Sequence, residues 1–206
     1  MSGLLPPAAV SRLPRYLRFL EGVGSSVSVV SSEEIAEGSG VSAVQVRKDL
    51  SYLGAAGTRG VGYDVTSLAK RIGKALGLED RLGVAIVGAG NLGSALANYQ
   101  GFEARGFRMV AVYDVDAKRI GPLPNGLDVR HIDQLAVDAA GGQISIGIIA
   151  TPSEAAQFVA TLMIAAGIRS ILNFAPTELR VPEGVAVRRV DLATELQILS
   201  YHLAVG

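Results

Sequence analysis

Apolar positions in the first third of the chain recur at helical spacing between clusters of glycine. Val10, Leu13, Leu17 and Leu20 fall on one stripe and predict a first helix, which Pro14 bends or restarts. The β-branched run Val27–Val30 leads into Ser31. Glu34, three residues on, completes a capping-box pattern that starts a second, brief helix closed by Gly38, Ser39 and Gly40. Ser42 with Gln45 repeats the signal, so a third helix is expected from about Ala43 to Leu53, one tight turn later. Two short helices joined in this way have helix-turn-helix spacing. The stretch Gly54–Tyr63 carries Gly54, Gly57, Gly60 and Gly62 and predicts a tight hairpin, which directly after a third helix is a wing. Leu68, Ile72 and Leu76 then pattern a linking helix before Gly77.

Beyond Gly77 the pattern changes to short apolar runs separated by glycine and charge. Val84–Val87 reads as a buried strand entering Gly88, Ala89, Gly90, Asn91, Leu92 and Gly93, with helix-like sequence from Ser94 to Tyr99. A second β-rich run, Met109–Tyr113, ends in Asp114, 21 residues after Gly93. Ile144–Thr151 is a further strand stopping at Thr151, Pro152 and Ser153, with a crossover helix patterned over Ala155–Ala166. Ser170–Phe174 and Val185–Val190 are later strands. After Asp191, Leu192, Leu196, Leu199 and Leu203 make the stripe of a terminal helix. The expected fold class is α/β. A winged helix-turn-helix domain spans 1–79, a Rossmann dinucleotide-binding domain spans 80–190, and a C-terminal helix over 191–206 packs on its own domain or against a second subunit.

On the third helix Ala43, Val46, Leu50 and Leu53 share one face, and Gln45, Lys48 and Tyr52 lie opposite. Glutamine can pair with adenine edges in the major groove, while lysine and tyrosine can hold phosphates, which suits recognition of double-stranded DNA. Arg59, beside Gly60 at the hairpin tip, is long enough to reach the floor of a minor groove. With Arg47 and Ser51 of the same helix, the DNA-binding candidates are Gln45, Arg47, Lys48, Ser51, Tyr52, Arg59 and Gly60. The competing reading is a small helical domain with a solvated basic face.

In the second region Gly88 permits a tight turn, Gly90 lets backbone approach a pyrophosphate, and Gly93 lets helix and strand pack closely. Asp114 is expected to accept from the adenosine ribose hydroxyls and to repel a 2′-phosphate, favouring NADH and NAD+ over the phosphorylated forms; Asp116 competes for that role. Ligands of open parallel sheets lie outside the carboxyl ends of strands, which adds Thr151, Pro152 and Asn173 to the cofactor-binding candidates Gly88, Ala89, Gly90, Asn91, Leu92, Gly93 and Asp114.

Composition narrows the chemistry. Cysteine is absent, which removes disulfides, thiolate metal sites and thiol redox sensing, so any redox response needs a bound cofactor. No apolar run reaches the roughly 20 residues needed to span a bilayer, and no export signal is visible, so a cytoplasmic protein without a membrane partner is expected. Net charge is zero, yet Arg12, Arg15 and Arg18 stand near the start without an acid among them. A dehydrogenase needs a proton donor beside the nicotinamide. His131, placed on a connection, and His202, in the terminal helix, are the only histidines, and no tyrosine is followed four positions later by lysine. The roughly 125 residues after the first domain fill one Rossmann unit and leave no substrate domain, so the expectation is a sensor with no catalytic residues. A small NAD-dependent oxidoreductase and a coenzyme A module are the alternatives.

The run Val46–Gly54, the wing Gly57–Tyr63, the loop Gly88–Gly93 and the strand end Asn173–Pro176 resemble motifs of the Rex family of bacterial redox-sensing repressors, over nearly the whole chain. The resemblance implies a homodimer that binds palindromic operator DNA when NAD+ prevails and lets go when NADH rises, with exchanged C-terminal helices. It further implies that Arg18, Tyr99 and Asp191 form alternative polar contacts in the two states. Leu192 stands where some members carry a phenylalanine next to the nicotinamide.

Overall fold

The computed structural model of the chain describes residues 5–24, 26–58 and 60–205, so Arg59 lies outside the described residues. The chain divides between Asp80 and Arg81 into two compact units.

The first unit runs α1 (Pro7–Val10), α2 (Leu13–Gly22), β1 (Val29–Val30), α3 (Ser32–Ser39), α4 (Ala43–Tyr52), β2 (Tyr63–Asp64) and α5 (Val65–Ala75). Pro14 sits in the first turn of α2, where its missing N–H would have had no partner. The predicted single helix therefore restarts at Leu13. Val10 is left exposed, and Tyr16 joins Leu13 and Leu20 on the buried face instead. Ser31 and Glu34 form both bonds of the capping box. Ser42 accepts from the Gln45 N–H, but the Gln45 side chain turns elsewhere, so only half of the second box forms. β1 and β2 pair antiparallel, and the wing closes through a single bridge between Thr58 and Gly62. Gly62 has φ +115°, and a Cβ there would run into the Val30 carbonyl, so the hairpin can cross β1 only on glycine. Ile35, Val46, Leu50, Leu68 and Ile72 complete the core.

The second unit runs β3 (Leu82–Val87), α6 (Asn91–Ala97), β4 (Phe107–Asp114), β5 (Gly121–Pro122), β6 (Asp128–His131), α7 (Leu135–Ala140), β7 (Ile146–Ile149), α8 (Ser153–Ala165), β8 (Ser170–Asn173), β9 (Ala186–Arg189) and α9 (Leu192–Val205). Its sheet has the order β5-β6-β4-β3-β7-β8-β9, parallel throughout except at β5. Apolar side chains bury both faces, as a parallel sheet requires. His131 ends β6 and is not on a connection. The strand is masked in sequence because only Val129 of Asp128–His131 is buried. Chain order reverses between β3 and β7, which makes the carboxyl ends of these two strands the topological switch point. Among the described residues the α9 stripe stays exposed: Leu192, Leu196, Leu199 and Leu203 are 59% to 86% exposed.

Candidate nucleotide and nucleic-acid sites

Gly88 leaves β3 with φ +107°, and a Cβ there would lie 2.5 Å from the Ala150 carbonyl oxygen at the end of β7. A Cβ on Gly93 would collide with the Gly88 carbonyl. The loop between them, with Ala89, Gly90, Asn91 and Leu92, is thus pressed against the switch point, and side chains at these two glycines would push it out. Gly90 caps α6, which starts at Asn91, earlier than the sequence suggests.

Asp114, at the end of β4, is buried and already engaged. Its Oδ2 accepts from the Ala89 N–H at 2.7 Å and from Arg119 at 3.1 Å, and its Oδ1 accepts from the Asp116 N–H at 2.9 Å. Burial opposes ionisation, but the backbone donors of Asp116 and Ala89, with Arg119, outweigh it and hold the carboxyl below the usual range. Asp114 therefore braces the glycine loop as well as offering one remaining lone pair on Oδ1. Arg119, five residues on, was not foreseen. Asp116 caps the turn after β4 and lies 3.7 Å from the same guanidinium.

At the end of β7 the Thr151 hydroxyl is buried and has no partner among the described residues. An orphaned hydroxyl beside a loop that admits no extra side chain fits a polar ligand lying across the switch point. Pro152 caps α8. Asn173 is only 1% exposed; it donates to the Thr177 carbonyl and accepts from the Ala175 N–H, both at 2.9 Å, which ties its amide to the loop after β8.

The three residues implied in switching each have local surroundings. Arg18 is exposed on α2. Tyr99 stands edge-on to Phe102 at 5.0 Å. Asp191 caps α9 through the Ala193 and Thr194 N–H groups and pairs with Arg189 at 2.7 Å; the Thr194 amide and Arg189 hold its carboxyl low. Leu192 is exposed as the first residue of α9.

In the first unit the outward face of α4 carries Val44, Arg47, Lys48, Ser51 and Tyr52. Val44, 68% exposed, was not anticipated, and Gln45 does not stand freely among them: half-buried, it donates from Nε2 to Asp49 Oδ1 at 2.8 Å. Asp49 is buried. Arg12 grips both of its oxygens at 2.6 and 2.8 Å, and the Tyr16 hydroxyl donates to Oδ2 at 2.8 Å. Burial disfavours the anion, but the donors from Arg12, Tyr16 and Gln45 prevail and the carboxyl stays below the ordinary range. Arg47 is tied to Ser32 Oγ and Glu33, and the Ser51 hydroxyl donates to the Lys48 carbonyl. Arg71 of α5 donates to the Gly54 carbonyl at 2.9 Å and fixes the turn from α4 toward the wing, where Gly60 is exposed with φ +78°. Among the described residues no cluster of acidic or histidine side chains suits a metal ion, and no helix is long and apolar enough to cross a membrane.

Two family profiles match, "CoA binding domain" over residues 80–177 and "Putative DNA-binding protein N-terminus" over residues 5–51. The Redox-sensing transcriptional repressor Rex of Streptomyces avermitilis is 54% identical over 199 residues, covering 96% of this chain and 79% of the relative. Solved structures of RSP, a Rex-family repressor, are similar over 98% of this chain. RSP in complex with beta-NAD+ and operator DNA gives a TM-score of 0.90 at 38% identity, with 93% of that chain covered. RSP with beta-NADH gives 0.85 at 36%, with 95% covered.

Proposed function

The chain belongs to the Rex family of redox-sensing transcriptional repressors, and from that membership we propose that it is a homodimer that holds palindromic operator DNA while NAD+ prevails and releases it when NADH binds. In this reading residues 1–79 read DNA, 80–190 hold the nucleotide, and 191–206 join two copies. The protein works in the cytoplasm, where nucleotide pool and operator meet, and it uses the nucleotide as a signal.

The carrying observation is the loop at the switch point, where Gly88 and Gly93 have no room for a side chain and the buried Thr151 hydroxyl lacks a partner. The Gly88–Gly93 backbone receives the pyrophosphate, and the free lone pair of Asp114 accepts from the adenosine ribose, with Arg119 holding that carboxylate in place. Thr151 and Pro152 border the nicotinamide half. Lys48, Ser51 and Tyr52, with Arg47, face the major groove, and Arg59 and Gly60 of the wing approach the minor groove. The exposed stripe of α9 covers itself on the second copy, which also spaces two reading heads for a palindrome.

Switching requires that NADH bind the released state more tightly than the gripping one, since equal affinity shifts nothing. A swing from about 1:99 to 99:1 needs about 5.5 kcal/mol of differential binding, shared between the two sites of a dimer. Loss of the nicotinamide's positive charge on reduction supplies a difference on which to act. The test is fluorescence anisotropy of a palindromic duplex titrated with the protein under saturating NADH or NAD+. NADH is expected to weaken binding, and equal affinity under both cofactors defeats the proposal.

The match to the CoA binding domain profile favours a second reading, in which the same loop takes the nucleotide end of coenzyme A. Thermal melts separate the two: NADH raises the midpoint in the first reading, and coenzyme A alone does so in the second.

A further inference from the structure

The outward stripe of α4 opens on an apolar residue. Val44 stands in the first turn, and Arg47, Lys48, Ser51 and Tyr52 follow it three, four, seven and eight positions on, so the five share one face of the helix. The apolar residues of α4 that pack in the core of the first unit are Ala43, Val46 and Leu50. Val44, 68% exposed, is not among them, and its neighbours one turn on are the cations Arg47 and Lys48. A β-branched side chain left in water on a helix adds neither burial nor helix propensity, so the fold gains nothing from valine at this position. A lone exposed valine is ordinary on most surfaces. This one heads the stripe read as facing DNA, at the amino-terminal end through which a recognition helix meets base edges.

An isopropyl group neither donates nor accepts, so it cannot pair with the polar edge of a base. Covering such an edge would strip its water and return no hydrogen bond. The one methyl group that the four bases present in the major groove is the 5-methyl of thymine. We propose that Val44 is a specificity-determining residue that reads thymine by covering this methyl group, while the polar and basic side chains behind it hold the helix to the backbone. The inference rests on the reading of α4 as the operator-contacting helix.

The test uses the full-length protein with NAD+ and a palindromic duplex that it selects from a randomised pool. Each thymine is replaced in turn by uracil, which lacks only the 5-methyl group, first in one half-site and then in both. One position in the half-site is expected at which loss of the methyl weakens binding about four-fold, the worth of one buried methyl, and about fifteen-fold when both halves carry the change. Because Val44 is exposed, Val44→Ala keeps the melting transition of the wild type. In that variant the duplex with thymine is bound more weakly and the contrast between thymine and uracil at the position disappears. A wild type indifferent to uracil at every position overturns the proposal. So does a contrast that survives undiminished in Val44→Ala, because another residue then covers the methyl. If Val44→Ala, Lys48→Ala and Tyr52→Ala all bind like the wild type, the reading of α4 itself has failed; if the latter two weaken binding and Val44→Ala does not, only the role of Val44 has.

Discussion

The hydroxyl of Tyr16 on α2 donates to Oδ2 of Asp49 on α4 at 2.8 Å, with both side chains buried. The bond joins α2 to α4 and supplies a donor to Asp49 besides those of Arg12. Tyr16→Phe keeps the ring and removes the donor, leaving a buried lone pair of an anion unmatched. A loss of about 1.5–3 kcal/mol is expected, read as a lower midpoint in urea with unchanged slope. A loss below a few tenths would show that water replaces the hydroxyl.

The same carboxylate sets an acid limit. Asp49 and Asp114 are both held below their ordinary value of 3.8 in the folded chain, because their donors overcome the cost of burial. Above that value the groups are ionised folded or unfolded, and their contribution is fully present. As pH falls below it the unfolded chain takes up protons first, and the contribution drains away until the folded groups titrate. Denaturant melts are expected to give a flat stability from pH 7 to about 5 and a steep fall below about 4. Tyr16 adds an opposite limit: burial and its contact with Asp49 push its hydroxyl up to about 12, so its share is intact below 10.0 and is lost between there and about 12.

Gly88→Ala tests the nucleotide loop. The new methyl meets the Ala150 carbonyl at a backbone angle, φ +107°, that alanine rarely adopts, so the loop must move away from the switch point. NADH affinity should fall at least about ten-fold, while operator binding without nucleotide persists, because the steric conflict lies in the second unit. Isothermal titration with NADH and anisotropy with the duplex measure the two separately. Loss of both together would mean that the substitution unfolds the chain.

Local signals were legible and long-range ones were not. Ser31 with Glu34, Gly40 and the Gly88–Gly93 spacing act on neighbours in sequence, so their residue types alone announce the capping box, the helix end and the turn. Asp49 gave no such sign. A carboxylate between Lys48 and Leu50 reads as solvated, and only the fold brings Arg12 and Tyr16 to it from more than thirty positions away. The same hidden contact ties Gln45 to Asp49, while Val44 stands exposed beside it. Asn173 shows a related limit: its place at a strand end was legible, but the bonds that tie its amide to the Ala175–Thr177 turn were not. The short β6 escaped because three of its four residues are polar or charged.

The terminal helix gives the sharpest test of assembly. Leu196 and Leu199 lie on the exposed stripe of α9, one turn apart, and a chain that left them in water would carry an apolar surface of the kind that marks an interaction site. In a homodimer built on this stripe, Leu199→Glu places a charge where the second copy packs, and its desolvation opposes association. Sedimentation equilibrium should show a dimer for the wild type and mainly monomer for the variant, with the first unit's fold unchanged in its melting transition. Affinity for a palindromic duplex should then collapse toward that for a single half-site, because two linked heads bind far better than one. A variant that remains dimeric and grips the palindrome as before would show that the stripe of α9 is not what joins the two copies.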